Sequence, residues 1–216
     1  MTKLMALEIL SMNNKRVLMI EGCDRTGKST FIEMFCEKLK KQGKIPFVFH
    51  LMGPTKFSGL TFNNDEKSLI QLSKFEDEYA LIEQMIESDE RVIVILDRTA
   101  FGEYVWSNYW NRRGKYSNEW PEFGHEKLLE KTYYITFYLS NLETLANRIE
   151  QSEEDVKIFT QRNKSIRENI MYVYDLYDSL NLKIKSMFPM IDMEMYDNSN
   201  TLDDLLNYVN QLVKKF

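Results

Sequence analysis

Cysteine and histidine are the scarcest chemically reactive residues of this chain. Its 216 residues include only two of each. Cys23 and Cys36 do not form a disulfide framework, which favours a reducing, cytoplasmic setting. His50 and His125 are too few and too scattered to predict a metal site or a catalytic triad.

A basic surplus and a long apolar run are also missing. The net charge of −5 argues against a general nucleic-acid-binding protein, which normally carries an excess of lysine and arginine. No apolar run approaches the roughly 20 residues that span a membrane. The early segment LMALEIL is followed by SMNNK instead of a small-residue cleavage site, so we do not expect a signal peptide.

Short apolar runs alternate with helical patterns along the chain. The runs predict strands at Val17–Ile20, Ile45–Met52, Val92–Leu96, Tyr133–Leu139 and within Met187–Tyr196. The first helical pattern follows the first strand and ends at about Gln42. Further helical patterns cover about Asp65–Ser88, Ala100–Arg112, Leu142–Ile149 and Ile166–Leu180, and a last one begins at Thr201. This order predicts an α/β fold: a five-stranded parallel sheet with helices on both faces, in one domain spanning residues 1–216.

The strongest motif lies at the end of the first predicted strand. After Val17–Ile20, the stretch from Gly22 to Ser29 fits the pattern G-x-x-x-x-G-K-[ST], and a helical pattern follows. A strand before and a helix after are the context that a phosphate-binding loop requires. The sequence therefore predicts a P-loop and a bound nucleoside triphosphate.

The spacing of this motif has a physical reason. Gly22 and Gly27 allow the backbone amides to turn inward and form a concave nest for phosphate oxygens. Lys28 adds a positive charge at the terminal phosphates, and Ser29 offers its hydroxyl to Mg²⁺. The helix that begins here points the positive end of its dipole at the anion.

A second candidate site follows the third predicted strand. Asp97 and Arg98 come directly after the buried run Val92–Leu96, and ligands of parallel sheets gather at the carboxyl ends of strands. Asp97 is well placed to hold Mg²⁺, as a Walker-B aspartate does. Arg98 could bind a second phosphate through its planar guanidinium. A surface salt bridge is the alternative for each residue taken alone.

Together, the segments EGCDRTGKST and DRTAFGEYVW resemble the thymidylate kinase family of nucleoside monophosphate kinases. That family has a loop of the form E-G-x-D-x-x-G-K-[ST]-T, which is far more specific than the bare P-loop pattern. The resemblance covers most of the chain and includes a lid-like segment, at about residues 150–163. Gly102 gives the second segment the look of phage-type members, because cellular members usually have Ser there.

The resemblance implies a role for each matching residue. Asp24 would approach the sugar and phosphate of the acceptor nucleotide, and Arg25 would reach the transferring phosphoryl group. Arg98 would hold the acceptor monophosphate, with Lys56 at a position where the family has an arginine for the same purpose. Trp106 would crowd the ribose 2′ carbon and favour deoxyribose.

The resemblance also implies a lid and a base site. The lid contains the acidic stretch Glu150–Asp155, which we expect to be a loop between two helices. Its acidity agrees with the subclass whose arginine lies in the P-loop. Arg148 at its root would contact nucleotide phosphates, although a solvated helix charge is an equal alternative. Glu103 stands where the family often has a small or amide residue near the base. Phe75 is a candidate for contacting the base and equally for the core.

Two residue sets summarise these expectations. The ATP site comprises Gly22, Asp24, Arg25, Thr26, Gly27, Lys28, Ser29, Thr30 and Arg148. The acceptor site comprises Asp24, Lys56, Phe75, Arg98, Gly102, Glu103 and Trp106. The partners implied are small-molecule nucleotides, with no nucleic acid and no membrane, and the resemblance implies a homodimer.

The expected reaction transfers the γ-phosphoryl group of Mg·ATP to a deoxynucleoside 5′-monophosphate, with dTMP as the leading acceptor. An acceptor phosphate oxygen is already anionic, so Lys28, Arg25, Arg98 and a metal held by Ser29 and Asp97 suffice, without a general base. One alternative is a deoxynucleoside kinase, which would profit from a carboxylate base after the second strand. The segment HLMGPTKFSG has none there. The other alternative is a nucleotide-binding switch without an acceptor.

Overall fold

The computed structural model describes residues 15–50, 64–111, 125–160 and 162–216, with only the backbone for 64–74. The part of the chain that it describes contains one sheet of five parallel strands, in the order β2-β3-β1-β4-β5. The strands are β1 (Val17–Gly22), β2 (Ile45–His50), β3 (Val92–Asp97), β4 (Thr132–Tyr138) and β5 (Asp192–Asp197). This confirms the predicted α/β fold.

Helices alternate with the strands. They are α1 (Lys28–Lys41), α2 (Asn64–Ser88), α3 (Ala100–Tyr109), α4 (Glu126–Glu130), α5 (Leu142–Glu150), α6 (Glu153–Thr160), α7 (Ile166–Met187) and α8 (Leu202–Leu212), followed by a 3₁₀ turn at Val213–Lys215. None of the helices in the described ranges is long and apolar enough to cross a membrane.

The sheet separates two apolar layers because side chains alternate along each buried strand. Leu18 and Ile20 of β1 face one layer, where α1 and α8 pack with residues such as Phe35 and Val209. Val17, Met19 and their equivalents in β3 and β4 face the other layer, which is covered by α2, α3, α5 and α7. Helices on both faces leave the carboxyl edge of the strands as the accessible edge.

Side-chain caps fix the starts of four helices near that edge, and Asn141 caps α5 by accepting a hydrogen bond from the Thr144 amide. Thr99 caps α3 by accepting a hydrogen bond from the Phe101 amide. Ser165 and Thr201 begin α7 and α8 with complete capping boxes, in which each hydroxyl pairs with the third helical residue. These bonds satisfy amides that have no partner within the helix.

Three predicted boundaries are wrong. The stretch Glu150–Asp155 is largely helical, because α6 begins at Glu153 and places three carboxylates in its first turn, where the helix dipole favours them. Helix α7 continues to Met187, since Asn181 bonds Thr136 of β4 at 2.9 Å and Ile184 remains in the core. Helix α3 ends at Tyr109, three residues before the predicted end.

Ile93 is fully buried in β3, and its removal tests the layer formed with α1 and α8. We expect Ile93→Ala to lower the free energy of unfolding by about 2–5 kcal/mol, through lost apolar contact and the cavity left behind. Chemical denaturation gives this value. Leu182→Ala on α7 is the control: this side chain is 72% exposed, so the change should stay within about 0.5 kcal/mol. Equal losses in both variants would contradict the packing described here.

Candidate active site

A cavity of about 430 Å³ opens at the carboxyl ends of β1, β2 and β3. It brings together the P-loop and the end of β3, because the two strands are paired with Ile20 opposite Asp97. Ten of the described residues line it: Asp24, Arg25, Gly27, Lys28, Ser29, Thr30, His50, Asp97, Arg98 and Asp155. Seven of the predicted loop and strand-end residues therefore share one cavity with Arg98.

The two loop glycines occupy positions where other residues do not fit. Gly22 has φ +131°, and a Cβ there would overlap the carbonyl oxygen of Phe137 in β4. Gly27 has φ +92°, and its Cβ would overlap the side-chain amide of Asn198. Asn198, which follows β5, donates a hydrogen bond to the Thr26 carbonyl at 2.9 Å. The loop is thus held between β4 and the chain that follows β5.

Lys28 is buried at the base of the cavity. Its Nζ donates hydrogen bonds to the carbonyls of Gly22 at 2.9 Å and Cys23 at 2.7 Å. Burial, reinforced by the nearby Arg98 cation, lowers the pKa of Lys28 to about 8. The Lys28 amino group lies at the loop, where the anionic oxygens of a bound phosphate would stabilise its charged form.

Cys23 lies within the loop and is fully buried. Burial, followed by the Asp24 carboxylate, raises the pKa of its thiol to about 12. The thiol is therefore protonated at neutral pH and is a poor nucleophile. Cys23 packs in the core beneath the P-loop and does not supply reactive sulfur.

Arg98 is held by contacts to β1 and to the loop. Its side chain forms an ion pair with Asp24 and donates to the Gly22 carbonyl at 3.4 Å. The guanidinium lies 5.2 Å from the centre of the Trp106 ring. Burial is the largest single influence and disfavours the charge, but Asp24, Tyr177, Glu21 and Asp97 together outweigh it and raise the pKa of Arg98. The backbone at Arg98 has φ +72°, which few non-glycine residues adopt.

The P-loop arginine contacts the predicted lid. Arg25 Nε lies 2.5 Å from Asp155 Oδ2 in the first turn of α6. Arg148 at the end of α5 donates to the Arg25 carbonyl at 3.1 Å. Arg25 has φ +63° and a half-exposed side chain. Arg148 therefore reaches the loop backbone and is not a solvated charge alone.

Ser29 and Asp97 line the cavity together, as the predicted magnesium site requires. One carboxylate oxygen of Asp97 contacts His50 Nδ1 at 3.0 Å. Its other oxygen, Oδ1, is buried and has no hydrogen-bond partner among the described residues. A buried carboxylate oxygen suits a bound cation. Among the described residues, no group of three or more His, Cys, Asp or Glu is arranged so that it could hold a metal ion, so most ligands would be phosphate oxygens and water.

The remaining acceptor-site candidates lie on or beside α3. Gly102, Glu103 and Trp106 are buried, with Trp106 against Arg98. Phe75 is 2% exposed and stacks on Tyr79 in the core, with ring centres 6.3 Å apart. This packing agrees with the core alternative for Phe75. Lys56 lies outside the described residues.

Sequence reasoning missed four residues that shape the site: Glu21, Asp155, His50 and Asn198. Glu21 belongs to the segment EGCDRTGKST, and a carboxylate at the end of an apolar strand could have indicated its importance. Asp155 was one of several acidic lid residues, and nothing in the pattern distinguished it. His50 and Asn198 reach the site only through the order of the strands, which the sequence pattern does not specify.

A family model for thymidylate kinase matches residues 20–187. The chain belongs to the thymidylate kinase family. It is therefore a nucleoside monophosphate kinase, and enzymes of this family generally use ATP with Mg²⁺. A search of curated proteins returned no match.

Two solved structures share the fold of this thymidylate kinase family member. Bacillus subtilis YorR, in complex with phosphorylated GDP, has 15% sequence identity and a TM-score of 0.55 over 92% of this chain and 95% of its own. Candida albicans thymidylate kinase, described as having broad substrate specificity, has 14% identity and a TM-score of 0.55 over 93% and 92%. At these identities the likeness establishes the fold alone.

Gly27 and Gly43 form a matched pair for testing the crowding at the P-loop. Both have positive φ, but a Cβ at Gly43 meets nothing within 4 Å. We expect Gly43→Ala to lower the free energy of unfolding by about 1–2 kcal/mol from backbone strain. Gly27→Ala should cost more, since its methyl group also displaces Asn198.

Chemical denaturation measures both losses. Adding Asn198→Ala to each glycine variant is the control, and it should bring the two losses closer together. A Gly27→Ala loss no larger than that of Gly43→Ala would contradict the crowded arrangement.

Proposed function

We propose that this kinase transfers the γ-phosphoryl group of Mg·ATP to a deoxynucleoside 5′-monophosphate, with dTMP as the leading acceptor. The observation that carries the proposal is the presence of two buried cations, Lys28 and Arg98, in one cavity. Lys28 belongs to the P-loop and serves the donor phosphates. Arg98 follows β3, pairs with Asp24 and lines the same cavity, and in this proposal it would bind the phosphate of a second ligand.

In this proposal the cavity supplies charge and position. The acceptor phosphate carries its own nucleophilic oxygen, so no side chain has to remove a proton. Lys28, Arg25 and Arg98 would neutralise the charge that develops on the transferring group. Ser29 and Asp97 would hold Mg²⁺, which would offset the negative charge of the donor phosphates.

The lid is proposed to comprise residues 150–163 within a single domain of residues 1–216. Support comes from the ion pair between Arg25 and Asp155, which connects the catalytic loop to α6. At the other end of this segment, Arg162 donates to the Tyr109 carbonyl at 2.9 Å and lies 4.1 Å from the Tyr172 ring centre. Arg162 would thus anchor the lid, while Arg25 from the loop would reach the phosphoryl group. Closure would exclude water and limit ATP hydrolysis.

The deoxyribose and base preferences rest on α3. Trp106 packs beside the Arg98 guanidinium, so it would contact the sugar of a nucleotide whose phosphate binds Arg98. Glu103 lies one helical turn before Trp106 and is proposed to lie near the base. The broad specificity of the Candida albicans enzyme and the guanine nucleotide of YorR support testing purines as well as dTMP.

A deoxynucleoside kinase remains the second candidate, and the acceptor decides between the two. We expect ADP release from Mg·ATP to be fastest with one or more deoxynucleoside monophosphates, because Arg98 provides a phosphate site. A coupled ADP assay with dTMP, dUMP, dGMP, dCMP, dAMP, their ribose forms and free thymidine measures this. Turnover with thymidine alone would favour the deoxynucleoside kinase. No turnover with any acceptor would overturn the proposed reaction.

Lys28 and Arg98 are predicted to fail in different ways. Lys28→Ala should reduce turnover by at least about 100-fold, since the charge on the donor phosphates is lost. Arg98→Ala should raise the acceptor KM or lower kcat far more than it weakens ATP binding. Lys41→Ala, an exposed lysine of α1, is the control and should leave both constants unchanged. Equal weakening of both substrates by Arg98→Ala would refute the assignment of Arg98 to the acceptor.

A further inference from the structure

Glu21 is a fully buried carboxylate that does not line the cavity. Its Oε1 accepts hydrogen bonds from the Thr99 backbone amide at 2.6 Å and from the Thr99 hydroxyl at 2.8 Å. Its Oε2 accepts a bond from the Tyr177 hydroxyl of α7 at 3.3 Å. The Glu21 side chain therefore joins β1 to the residue that follows Arg98 and to α7.

These bonds act on the backbone at Arg98. The Arg98 amide donates to the Ile20 carbonyl at 3.0 Å, and the next amide, that of Thr99, donates to Glu21. Two successive amides are thus tied to two successive residues of β1. Between these two bonds Arg98 has φ +72°, a conformation that persists when surrounding contacts enforce it. The same arrangement directs the guanidinium towards Asp24.

Gly102 supplies a second, independent observation. A Cβ at this position would lie 2.5 Å from Oε2 and 2.6 Å from Oε1 of Glu21. No side chain fits there unless the Glu21 carboxylate moves. The first turn of α3 therefore packs directly against this carboxylate, and the glycine leaves the space that Glu21 occupies.

We propose that Glu21 is a positioning residue for the acceptor phosphate. Glu21 fixes Thr99 and thereby the neighbouring Arg98, and Gly102 leaves room for the Glu21 carboxylate. The inference rests on the proposed role of Arg98. Glu21 has no path to the reacting atoms, since its oxygens are directed to Thr99 and Tyr177. Burial raises its pKa, which is the cost of keeping a carboxylate at this place.

Substitution of Glu21 tests the positioning role. Glu21→Ala should lower kcat/KM for the acceptor by about 10- to 100-fold, because a small displacement of a binding group is costly. The KM for ATP should stay within about twofold, since the loop backbone is held by β4 and Lys28. Glu21→Gln keeps an oxygen for the Thr99 donors and should recover most of the loss. A Glu21→Gln defect equal to that of Glu21→Ala would overturn the hydrogen-bond role.

Two tyrosines of α7 provide a matched comparison. Tyr177→Phe removes the hydroxyl that bonds Glu21 and should raise the acceptor KM. Tyr174→Phe, nearly one turn earlier, removes a hydroxyl that bonds only the backbone of Leu139 among its described partners, and should not. Equal effects of the two substitutions on the acceptor KM would contradict the proposal. If Glu21→Ala does not fold, as judged by thermal unfolding, Glu21→Gln and this pair decide the question.

Gly102→Ala tests the link between the two positions. It should lower kcat/KM for the acceptor in the wild-type background and have little effect when Glu21 is already Ala. Additive losses would contradict the contact.

Crystal structures of the same variants give a readout that does not need turnover. If the wild-type protein phosphorylates no acceptor, the proposed function fails. The positioning role then still predicts that the Arg98 guanidinium, which lies 5.2 Å from the Trp106 ring centre, is displaced in Glu21→Ala. An unmoved Arg98 would overturn the inference in either case.

Discussion

Buried charge at the ends of β1 and β3 is the constraint on which the site depends. Glu21, Lys28 and Arg98 are all at most 8% exposed, and they lie where the end of β1, the start of α1 and the end of β3 meet. Isolated buried charges are costly, so each persists because backbone groups and opposite charges surround it. The parallel pairing of β1 with β3 places the ends of these strands side by side, so the charged groups are close together. The sheet therefore determines the electrostatics of the cavity as well as its shape.

Local signals in the sequence were sufficient for the fold and for most of the cavity. The apolar runs located the strands because buried parallel strands are apolar on both faces. The P-loop pattern located Gly22 to Ser29 because its geometry depends on residues that are neighbours in the chain. Asp97 and Arg98 were found because they directly follow a strand. In each case the residues that matter are close together in the sequence or directly follow a strand.

Contacts between distant segments could not be predicted in the same way. Asp155 pairs with Arg25 across 130 residues, and nothing in the acidic lid distinguishes it from Glu153 or Glu154. The helical start of α6 was missed because a cluster of acidic residues is compatible with a loop and with a helix N-terminus. Phe75 has the spacing of a core residue and of a binding residue, and the packing on Tyr79 is visible only in three dimensions.

The contact between Asn198 and the P-loop has a consequence for how the protein is made. The loop is encoded near the start of the chain, yet the residue that packs on Gly27 and bonds Thr26 comes after β5, beyond residues 20–187 that match the family. At about 5–20 residues per second, synthesis of the roughly 170 residues from Gly27 to Asn198 takes about 9–34 seconds, and the loop lacks this partner until then. The phosphate-binding loop is therefore translated well before the residue that completes its packing.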